Sequence, residues 1–244
     1  MRKIVVGYSG GVTSAWCLDW ALRTYPRSEV VALFHDTKRE DADTYRYLRE
    51  MAAKLNIEIT ERSDGRSVEE VEDDENCIAN NRMAFCSRIL KTEQRDRYFK
   101  ELRAAGATEV VNVLGFSAHE RERIQRAWAR GQRDGYTVRF PLVETNTSKQ
   151  DCADWSISIG VRLPSMYSWS DHANCVGCRR GGRAYWLAVK ENAPEVFGAM
   201  KEREAEFGHT VCKGISLSQL ESQGLKRTVN RREAIDIGPC DCGS

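Results

Sequence analysis

The most constraining feature of the chain is a glycine-containing turn close to its start, Tyr-Ser-Gly-Gly-Val-Thr-Ser at residues 8–14. The residues before it, 3–8, are rich in β-branched side chains, which predicts a buried strand. After it, Ala15, Leu18 and Leu22 recur at helical spacing. Two glycines let the backbone approach a ligand closely, and the first turn of a helix offers unpaired N–H groups. The turn therefore predicts a phosphate site. Its predicted contacts are Ser9, Gly10, Gly11, Thr13 and Ser14.

The spacing of this turn differs from two common phosphate loops. The Gly-x-x-x-x-Gly-Lys-Ser/Thr pattern is absent, and so is the dinucleotide pattern Gly-x-Gly-x-x-Gly. Ser-Gly-Gly-x-Thr-Ser after a first strand resembles the PP-loop of the ATP pyrophosphatase families. That resemblance implies binding of a nucleotide's phosphates and reaction at the α-phosphate. The alternative interpretation is an ordinary turn without a ligand.

Strand-like and helix-like segments alternate through the first part of the chain. This alternation predicts an α/β fold with a doubly wound, mainly parallel five-stranded sheet. The segment 64–76 is acidic and polar without clear periodicity, and it is interpreted as a mobile loop over the site. The predicted strands lie at residues 3–8, 29–34, 57–60, 109–114 and 137–140.

The character of the sequence changes near Thr145, which predicts two regions. Residues 1–144 form a PP-loop nucleotide-binding domain, and residues 145–244 form a helical, cysteine-rich C-terminal region. In the second region, helices are predicted at 151–159, 185–192 and 194–207.

Composition sets the class of protein. Hydrophobic residues make up 41% of 244 residues, which is enough for a substantial core. No apolar run reaches membrane-spanning length, and the chain starts without a secretory pattern, so a cytoplasmic protein without a membrane partner is expected. With 37 basic and 36 acidic residues the net charge is +1, which argues against indiscriminate coating of nucleic acid but allows a local basic groove.

Polar residues follow the predicted strands at the edge where open α/β sheets bind ligands. Asp36 and Asp43 are interpreted either as Mg²⁺ ligands or as helix-capping residues. Lys91 and Arg123 are candidates for neutralising phosphate charge in the transition state, with Glu120 orienting Arg123. His35 and His119 also stand at strand ends and are interpreted as structural residues.

Nine cysteines are present, and in a reducing compartment disulfides are not expected. Cys175-x-x-Cys178 can clamp one metal or cluster edge, but alone it also fits a redox dithiol or half a zinc site. Cys86 and a Cys240-x-Cys242 tail strengthen the metal interpretation. The adjacent Arg179 and Arg180 are expected to lower thiol pKa values and to bind an anion.

Several blocks in one order resemble the phosphoadenosine-phosphosulfate reductase family in its broad sense. That family includes phage-encoded members and the ATP pyrophosphatase of DNA phosphorothioation systems. The blocks span residues 3 to about 182. They are residues 9–14; His35-Asp36-Thr37 with Asp43-Thr44; Cys86-Ser87-Arg88-x-Leu90-Lys91; Gly115 with Glu120-x-x-Arg123; Pro141-Leu142; Lys149-x-Asp151-Cys152; Pro164-x-Met166-Tyr167; and Asn174-Cys175-x-Gly177-Cys178.

The resemblance implies adenine at the sheet edge near Phe34, Asp36 and Thr37, with Gly115 and Glu120 also in the nucleotide site. It implies a [4Fe–4S] cluster on Cys86, Cys175 and Cys178, with zinc as the alternative occupant. Such a cluster normally takes four thiolates. The fourth is predicted from the tail, at Cys242, or from Cys152; otherwise one iron stays open and can hold a sulfide.

The sequence departs from the assimilatory reductases at two places. Their cluster motif begins with two adjacent cysteines, whereas here the first position is Phe85. Their tail carries Glu-Cys-Gly, whereas this tail reads Pro239-Cys240-Asp241-Cys242-Gly243. Both departures weigh against sulfonucleotide reduction.

The function expected from these features is ATP-dependent adenylation of an acceptor, coupled to sulfur transfer. Partners are then an adenine nucleotide, an unidentified sulfur donor and an acceptor such as a nucleic acid, with a homodimer left open. One alternative is a sulfonucleotide reductase with a tail cysteine attacking sulfur, and another is a binding module without turnover. The predicted catalytic residues are Lys91, Arg123, Cys178, Cys240 and Cys242.

Overall fold

A computed structural model describes residues 1–225 and Ile235. Its centre is a five-stranded sheet in which every neighbouring pair is parallel, in the order β3-β2-β1-β4-β5. The predicted fold class is therefore confirmed. The strands are β1 (Arg2–Gly7), β2 (Val30–His35), β3 (Ile59–Arg62), β4 (Glu109–Val113) and β5 (Thr137–Arg139).

Helices account for most of the remaining described chain. Two 3₁₀ turns, Arg27–Glu29 and Ser165–Ser168, and a π-helical stretch, Arg88–Glu93, also occur. The α-helices are α1 (Val12–Thr24), α2 (Ala42–Lys54), α3 (Val68–Asp74), α4 (Phe85–Ser87), α5 (Gln94–Ala104), α6 (Arg121–Asp134), α7 (Pro141–Glu144), α8 (Lys149–Ser158), α9 (Arg183–Asn192), α10 (Pro194–Phe207) and α11 (Leu217–Gln223).

Both faces of the sheet are buried, as expected for parallel strands. On β1, Ile4 and Val6 join the main core with α1, α2 and α8, whereas Val5 points to the opposite core with α5. This alternation follows from the two-residue period of a strand. It explains why the first strand is apolar at successive positions.

The segment 64–76, predicted as a mobile loop, is largely helical, so that prediction is wrong. It contains α3, which begins at a reciprocal capping box between Ser67 and Glu70. Val68 and Val71 on this helix are buried against Ile89 and Leu90. The sequence pattern does not reveal this helix, because most of its residues are acidic and only one narrow apolar stripe packs against the core.

The C-terminal helices form a second core. Trp186 and Phe197, on α9 and α10, are buried together with Ile78 from the segment after α3. The helices predicted at 185–192 and 194–207 correspond to α9 and α10. The division predicted between residues 144 and 145 stays a prediction.

A buried ion-pair network fastens α3 to the C-terminal helices. The Arg179 side chain is only 3% exposed, and its guanidinium donates to the fully buried Glu72 at 2.8 Å and to Glu69 at 2.9 Å. Arg203 on α10 also contacts Glu72, at 3.3 Å. Because a charge buried without a partner is very costly, these groups hold each other in place.

Two further observations concern predictions made above. Within residues 1–225 no helix combines the length and apolarity needed to cross a membrane. The seven cysteines in the described part of the chain are free thiols. Cys240 and Cys242 lie outside the described residues.

We expect Glu72→Gln to lower the free energy of unfolding by about 1–3 kcal/mol, because it removes one of the two carboxylates that compensate the buried Arg179 charge and leaves only Glu69. The measurement is equilibrium denaturation in urea. Asp74→Asn is the matched control on the same helix, since Asp74 pairs with Arg66 and its side chain is 58% exposed. Equal stability of the two variants would contradict the buried-pair argument.

Candidate nucleotide and thiol site

The glycine turn lies at the point where the strand order reverses. The chain passes from β1 to β2 and β3 on one side, and then to β4 and β5 on the other. Such a switch point opens a crevice at the carboxyl ends of the strands, and that crevice is the usual ligand site of open α/β sheets. Residues 8–14 leave β1 there, and Gly115 follows β4 on the other side.

The turn is closed by its own hydroxyl groups. Ser14 Oγ donates to the carbonyl of Gly11 at 2.8 Å and accepts from the N–H of Ser9 at 3.2 Å. Helix α1 starts after Gly11 without a side-chain N-cap. Apart from the N–H of Val12, which donates to the Tyr167 hydroxyl, the N–H groups of its first turn are placed to meet an anion rather than a capping side chain.

Glycine is needed at this turn because neighbours approach the backbone closely. Gly10 has a φ of +79°, and a Cβ there would lie 2.7 Å from Thr44 Cγ2. A Cβ on Gly115 would lie 3.0 Å from the backbone of Thr13. The loop after β4 thus packs directly on the start of α1, so the residues present fit a cradle for phosphate.

Tyr167 completes the cradle from a distant part of the sequence. Its hydroxyl accepts from the N–H of Val12 at 3.1 Å and lies 3.2 Å from where a Gly11 Cβ would stand. Lys149 lies over the Tyr167 ring, with Nζ 5.3 Å from the centroid. The Tyr167 ring therefore places the Lys149 ammonium group near the glycine turn.

The edge of β2 carries the residues predicted for adenine and magnesium. Phe34 is buried and packs edge-to-face on Tyr45. Asp36 Oδ1 accepts from the N–H of Lys38 at 2.8 Å and from Tyr45 Oη. Thr37 is 1% exposed. The assignment of these residues to a nucleotide stays a prediction.

Asp43 does not cap α2, so the capping interpretation is wrong for this residue, and its assignment to Mg²⁺ stays a prediction. Its carboxylate accepts from Arg46 and Arg162 and from the N–H of Ser165. The hydrogen bond from Arg46 is the main reason that the pKa of Asp43 falls to about 2. The cap of α2 is Asp41, whose side chain accepts from the N–H of Asp43.

Glu120 and Arg123 form the pair predicted from the sequence. Glu120 accepts from Arg123 and from the N–H of Ser117 at 3.0 Å. The guanidinium lies 4.1 Å above the Phe116 ring, and the Arg123 side chain is 44% exposed. Glu120 thus orients Arg123 at the mouth of the crevice beyond β4.

The Cys-x-x-Cys loop contacts the β2 edge directly. Cys175 Sγ is 3.1 Å from Thr37 Oγ1 and 3.5 Å from Glu40 Oε1. Lys91 Nζ is 3.3 Å from the same Glu40 oxygen, and the Glu40 side chain is only 2% exposed. The N–H of Val176 donates to the backbone carbonyl that precedes Glu40, at 2.9 Å. The β2 edge and the cysteine loop are therefore in direct contact.

Tyr185 shapes the cysteine loop. Its hydroxyl accepts from the N–H groups of Gly177 and Cys178 at 3.0 and 3.1 Å, and it donates to the Cys175 carbonyl at 2.9 Å. Gly177 has a φ of +74°, which closes the turn. This one hydroxyl therefore fixes the spacing of the two cysteines.

The thiol pKa values contradict the prediction made from Arg179 and Arg180. Burial, with Cys178 and Glu72 adding to it, raises the pKa of Cys86 to about 11 even though Arg179 opposes the shift. Burial also raises the pKa of Cys175 to about 12, against the lowering effect of Lys91. Arg179 is engaged by Glu69 and Glu72 and is not available to an external anion. Both thiols are protonated at neutral pH in the free protein.

Lys91 is positively charged in this site. Burial lowers its pKa, but the Glu40 carboxylate, joined by Cys175 and Cys178 when these are thiolates, raises it by more, so the pKa ends above its ordinary value. An ammonium fixed beside two sulfurs favours thiolate formation when a ligand displaces the protons.

The donor chemistry of the cysteines suits a soft metal. Cys178 lies near enough to Cys86 and to Cys175 to raise the pKa of both thiols, and thiolates are the ligands of iron–sulfur clusters and of many zinc sites. Over residues 1–225 and Ile235, no three His, Cys, Asp or Glu side chains are already arranged as a metal-binding group. The cluster therefore stays a prediction, as does its fourth ligand at Cys242.

Cys152 is a core residue. It is fully buried with Cys17 in the main core, on α8 where that helix packs on α1. Burial raises the pKa of Cys152 to about 12. Cys86 lies instead against the small core of α3. The two cysteines thus occupy different cores.

Three residues of this site, Glu40, Tyr167 and Tyr185, have no functional role predicted from the sequence. Tyr167 belongs to one of the resembling blocks, and Glu40 lies in the polar segment after β2, so both carry a weak signal. Tyr185 has the spacing of a core-packing residue, and nothing in the local pattern indicates that its hydroxyl reaches the cysteine loop.

A parallel sheet with a glycine-hydroxyl turn at its switch point defines a nucleotide-binding α/β protein. The family model of the phosphoadenosine phosphosulfate reductase domain matches residues 3–167. The chain therefore belongs to this PP-loop family. The resemblance deduced from the sequence blocks is confirmed.

Among solved structures, the chain is similar to the phosphoadenylyl-sulfate (PAPS) reductase from Candida auris in its phosphate complex. The identity is 23%, the match covers 46% of this chain and 54% of that chain, and the TM-score is 0.33. The chain thus spans about half the length of that reductase. A comparison with curated proteins found no match.

We expect Gly10→Ala to weaken nucleotide binding at least about tenfold, because the new methyl group strains a φ of +79° and meets Thr44. Gly106→Ala is the matched control, since Gly106 also has a positive φ, +91°, but has no atom within 4 Å of the added Cβ. Isothermal titration with ATP–Mg²⁺ measures both. Equal loss of affinity in both variants would show that backbone strain alone is responsible.

We expect stability to fall as the pH drops from about 6.5 to 4, because burial, assisted by Lys91 and Arg95, lowers the pKa of His35 to about 4. Within that pH range His35 binds a proton in the unfolded chain but stays neutral in the folded chain. This difference lowers the free energy of unfolding by about 3 kcal/mol. Urea denaturation across this pH range should be flatter for His35→Gln. The exposed His119 provides the control, His119→Gln; three identical pH profiles would refute the role of His35.

Proposed function

We propose that this protein is a PP-loop enzyme that binds ATP, activates an acceptor by adenylation and completes a sulfur transfer at its cysteine loop. The observation that carries the proposal is the contact of Cys175 with Thr37 at 3.1 Å, which joins the nucleotide edge to the cysteines. A nucleotide and a sulfur group held on one continuous edge can react without a long transfer.

In the first step an acceptor oxygen attacks the α-phosphorus of ATP. The bond to the bridging oxygen of the β-phosphate breaks, and pyrophosphate leaves with the electron pair. The turn from Ser9 to Ser14 would hold the phosphates, Asp36 would hold Mg²⁺, and Arg123 at the crevice mouth would neutralise the leaving charge.

In the second step a hydrosulfide equivalent attacks the activated carbon or phosphorus of the acceptor, and AMP leaves with the oxygen. Lys91, paired with Glu40, stabilises the anionic sulfur beside Cys175. Cys86, Cys175 and Cys178 would hold an iron–sulfur group, which when bound presents sulfur in nucleophilic form. A tail cysteine, Cys240 or Cys242, is assigned either as the fourth ligand of this iron–sulfur group or as a thiol that assists release of the product.

The second candidate function is reduction of a sulfonucleotide, which the name of the matching family favours. In that reaction a tail cysteine attacks the sulfur of the sulfonucleotide, the bond from that sulfur to the phosphate oxygen breaks, and the nucleotide leaves with the electron pair. A second thiol then attacks the sulfur of the resulting S-sulfocysteine, so that sulfite leaves with its electron pair and a disulfide forms. An external dithiol such as thioredoxin restores the cysteines. The same phosphate cradle serves either nucleotide.

Equilibrium binding separates the two candidates. We expect the anaerobically purified protein to bind ATP–Mg²⁺ at least about tenfold more tightly than phosphoadenosine phosphosulfate, since adenylation needs the triphosphate. The inverse preference would overturn adenylation and favour reduction, with sulfite release as the next measurement.

We expect Cys178→Ser to abolish sulfur transfer but to leave ATP affinity unchanged, because the thiol acts after the nucleotide is bound. Cys77→Ser is the control, since Cys77 is partly buried outside the cysteine loop, and its Sγ contacts the carbonyl of Ile78 at 3.6 Å. Incorporation of labelled sulfide into product is the measurement. A fully active Cys178→Ser protein would refute the cysteine half of the mechanism.

A further inference from the structure

A basic cavity lies outside the nucleotide crevice, beside the cysteine loop. Its volume is about 490 Å³, and its walls come from three segments, residues 80–83, 181–183 and 209–213. This volume falls within the range of about 300–1,000 Å³ that is typical of small-molecule sites. A cavity of this volume matches the size of a nucleotide unit better than that of a phosphate ion alone.

The charged side chains that line this cavity are all basic, and one carboxylate, Glu204, lies buried behind the wall, where it accepts from the N–H of Val211 at 2.9 Å. Arg82, Arg183 and Lys213 contribute permanent positive charges, and none of the lining residues is acidic. None of these three cations forms an ion pair with any residue in the described part of the chain, whereas Arg46, Arg179 and other arginines are paired. A concave wall with three uncompensated cations attracts an anion.

The cavity is shaped by backbone contacts. Arg183 Nη2 donates to the carbonyl of Lys213 at 3.0 Å, which joins two of the three segments. Asn80 Oδ1 accepts from the N–H groups of Arg82 and Met83 at 2.9 and 3.0 Å, which bends the third. Met83 is 49% exposed and offers an apolar surface to a sugar or base.

The same segments position the thiols. Residues 80–83 lead directly into Cys86, and the N–H of Gly181 at the cavity wall donates to the carbonyl of Cys178 at 2.8 Å. A molecule held in the cavity therefore lies next to both cysteine-bearing segments. The residues that line the cavity are different from those of the β2 edge.

We propose that this cavity binds a phosphate-bearing nucleotide unit, either as a free mononucleotide or within an oligonucleotide. Identifying that ligand with the sulfur acceptor rests on the proposed function; the binding itself does not. Phosphate oxygens meet Arg82, Arg183 and Lys213, and the sugar or base lies on Met83.

The test uses Gly11→Val protein, in which we expect the added side chain to block the PP-loop, and loss of ATP–Mg²⁺ binding is verified first. AMP and a fluorescent oligothymidylate are titrated separately, by calorimetry and by anisotropy across a salt series. We expect Arg183→Glu and Lys213→Glu, made in this background, each to weaken binding about tenfold. The salt slope for the single strand should fall by about 0.7 for each phosphate that the variant no longer neutralises. Lys54→Glu, at the far end of α2, is the matched control and should bind like the parent.

Tighter binding of the oligothymidylate identifies a nucleic-acid strand as the source of the phosphate, and binding of AMP alone identifies a mononucleotide. Absence of both, or equal binding by the cavity variants and Lys54→Glu, would overturn the proposal. Arg183→Gln and Lys213→Gln replace the charge reversals if thermal melting shows misfolding. ATP binding and pyrophosphate release are measured with Gly11 intact, so failure of the proposed function is seen separately.

Discussion

The reversal of strand order between β1 and β4 is the constraint on which the rest of the site depends. Side chains that leave a parallel sheet at its carboxyl edge can converge only where neighbouring connections run in opposite directions. Here that point brings the turn after Gly7 against Gly115, so closely that a Cβ on Gly115 would lie only 3.0 Å from the backbone of Thr13. Every later feature, from Tyr167 to the cysteine loop, packs around a backbone crevice that the sheet has already opened.

Buried charges then hold the second half of the site. Glu72 and Arg179 are almost fully buried, and each would be costly without the other. Their pairing fixes the loop that carries Cys178 against α3, a helix distant in sequence. Glu40 and Lys91 do the same on the other side of the loop. In both cases the ion pair fixes the position of the cysteine loop, and burial keeps the neighbouring thiols protonated until a ligand binds.

The parts of this structure that depend on local pattern are predictable from the sequence. Four of the five strands and the turn at Gly10 and Gly11 follow from short-range periodicity and from glycine spacing, whereas β3 begins and ends two residues after its predicted position of 57–60. Helix α3 escapes such a prediction although its capping box is present at Ser67 and Glu70, because its apolar stripe is narrow. The pairing of Arg179 and the hydroxyl contacts of Tyr185 depend on residues far apart in the chain, and no local pattern carries that information.

Charge distribution, rather than net charge, decides which partners such a chain accepts. The net charge of +1 arises from nearly equal numbers of acids and bases, and the structure uses many of them in pairs. A local surplus of positive charge therefore exists only where acidic side chains are absent, as along the cavity wall formed by Arg183 and Lys213. Because screening limits exposed charges to about 8–10 Å at physiological salt, such a wall acts on a ligand that enters it and not on distant polyanions. Selectivity then follows from the shape of the cavity and from its place beside the thiols.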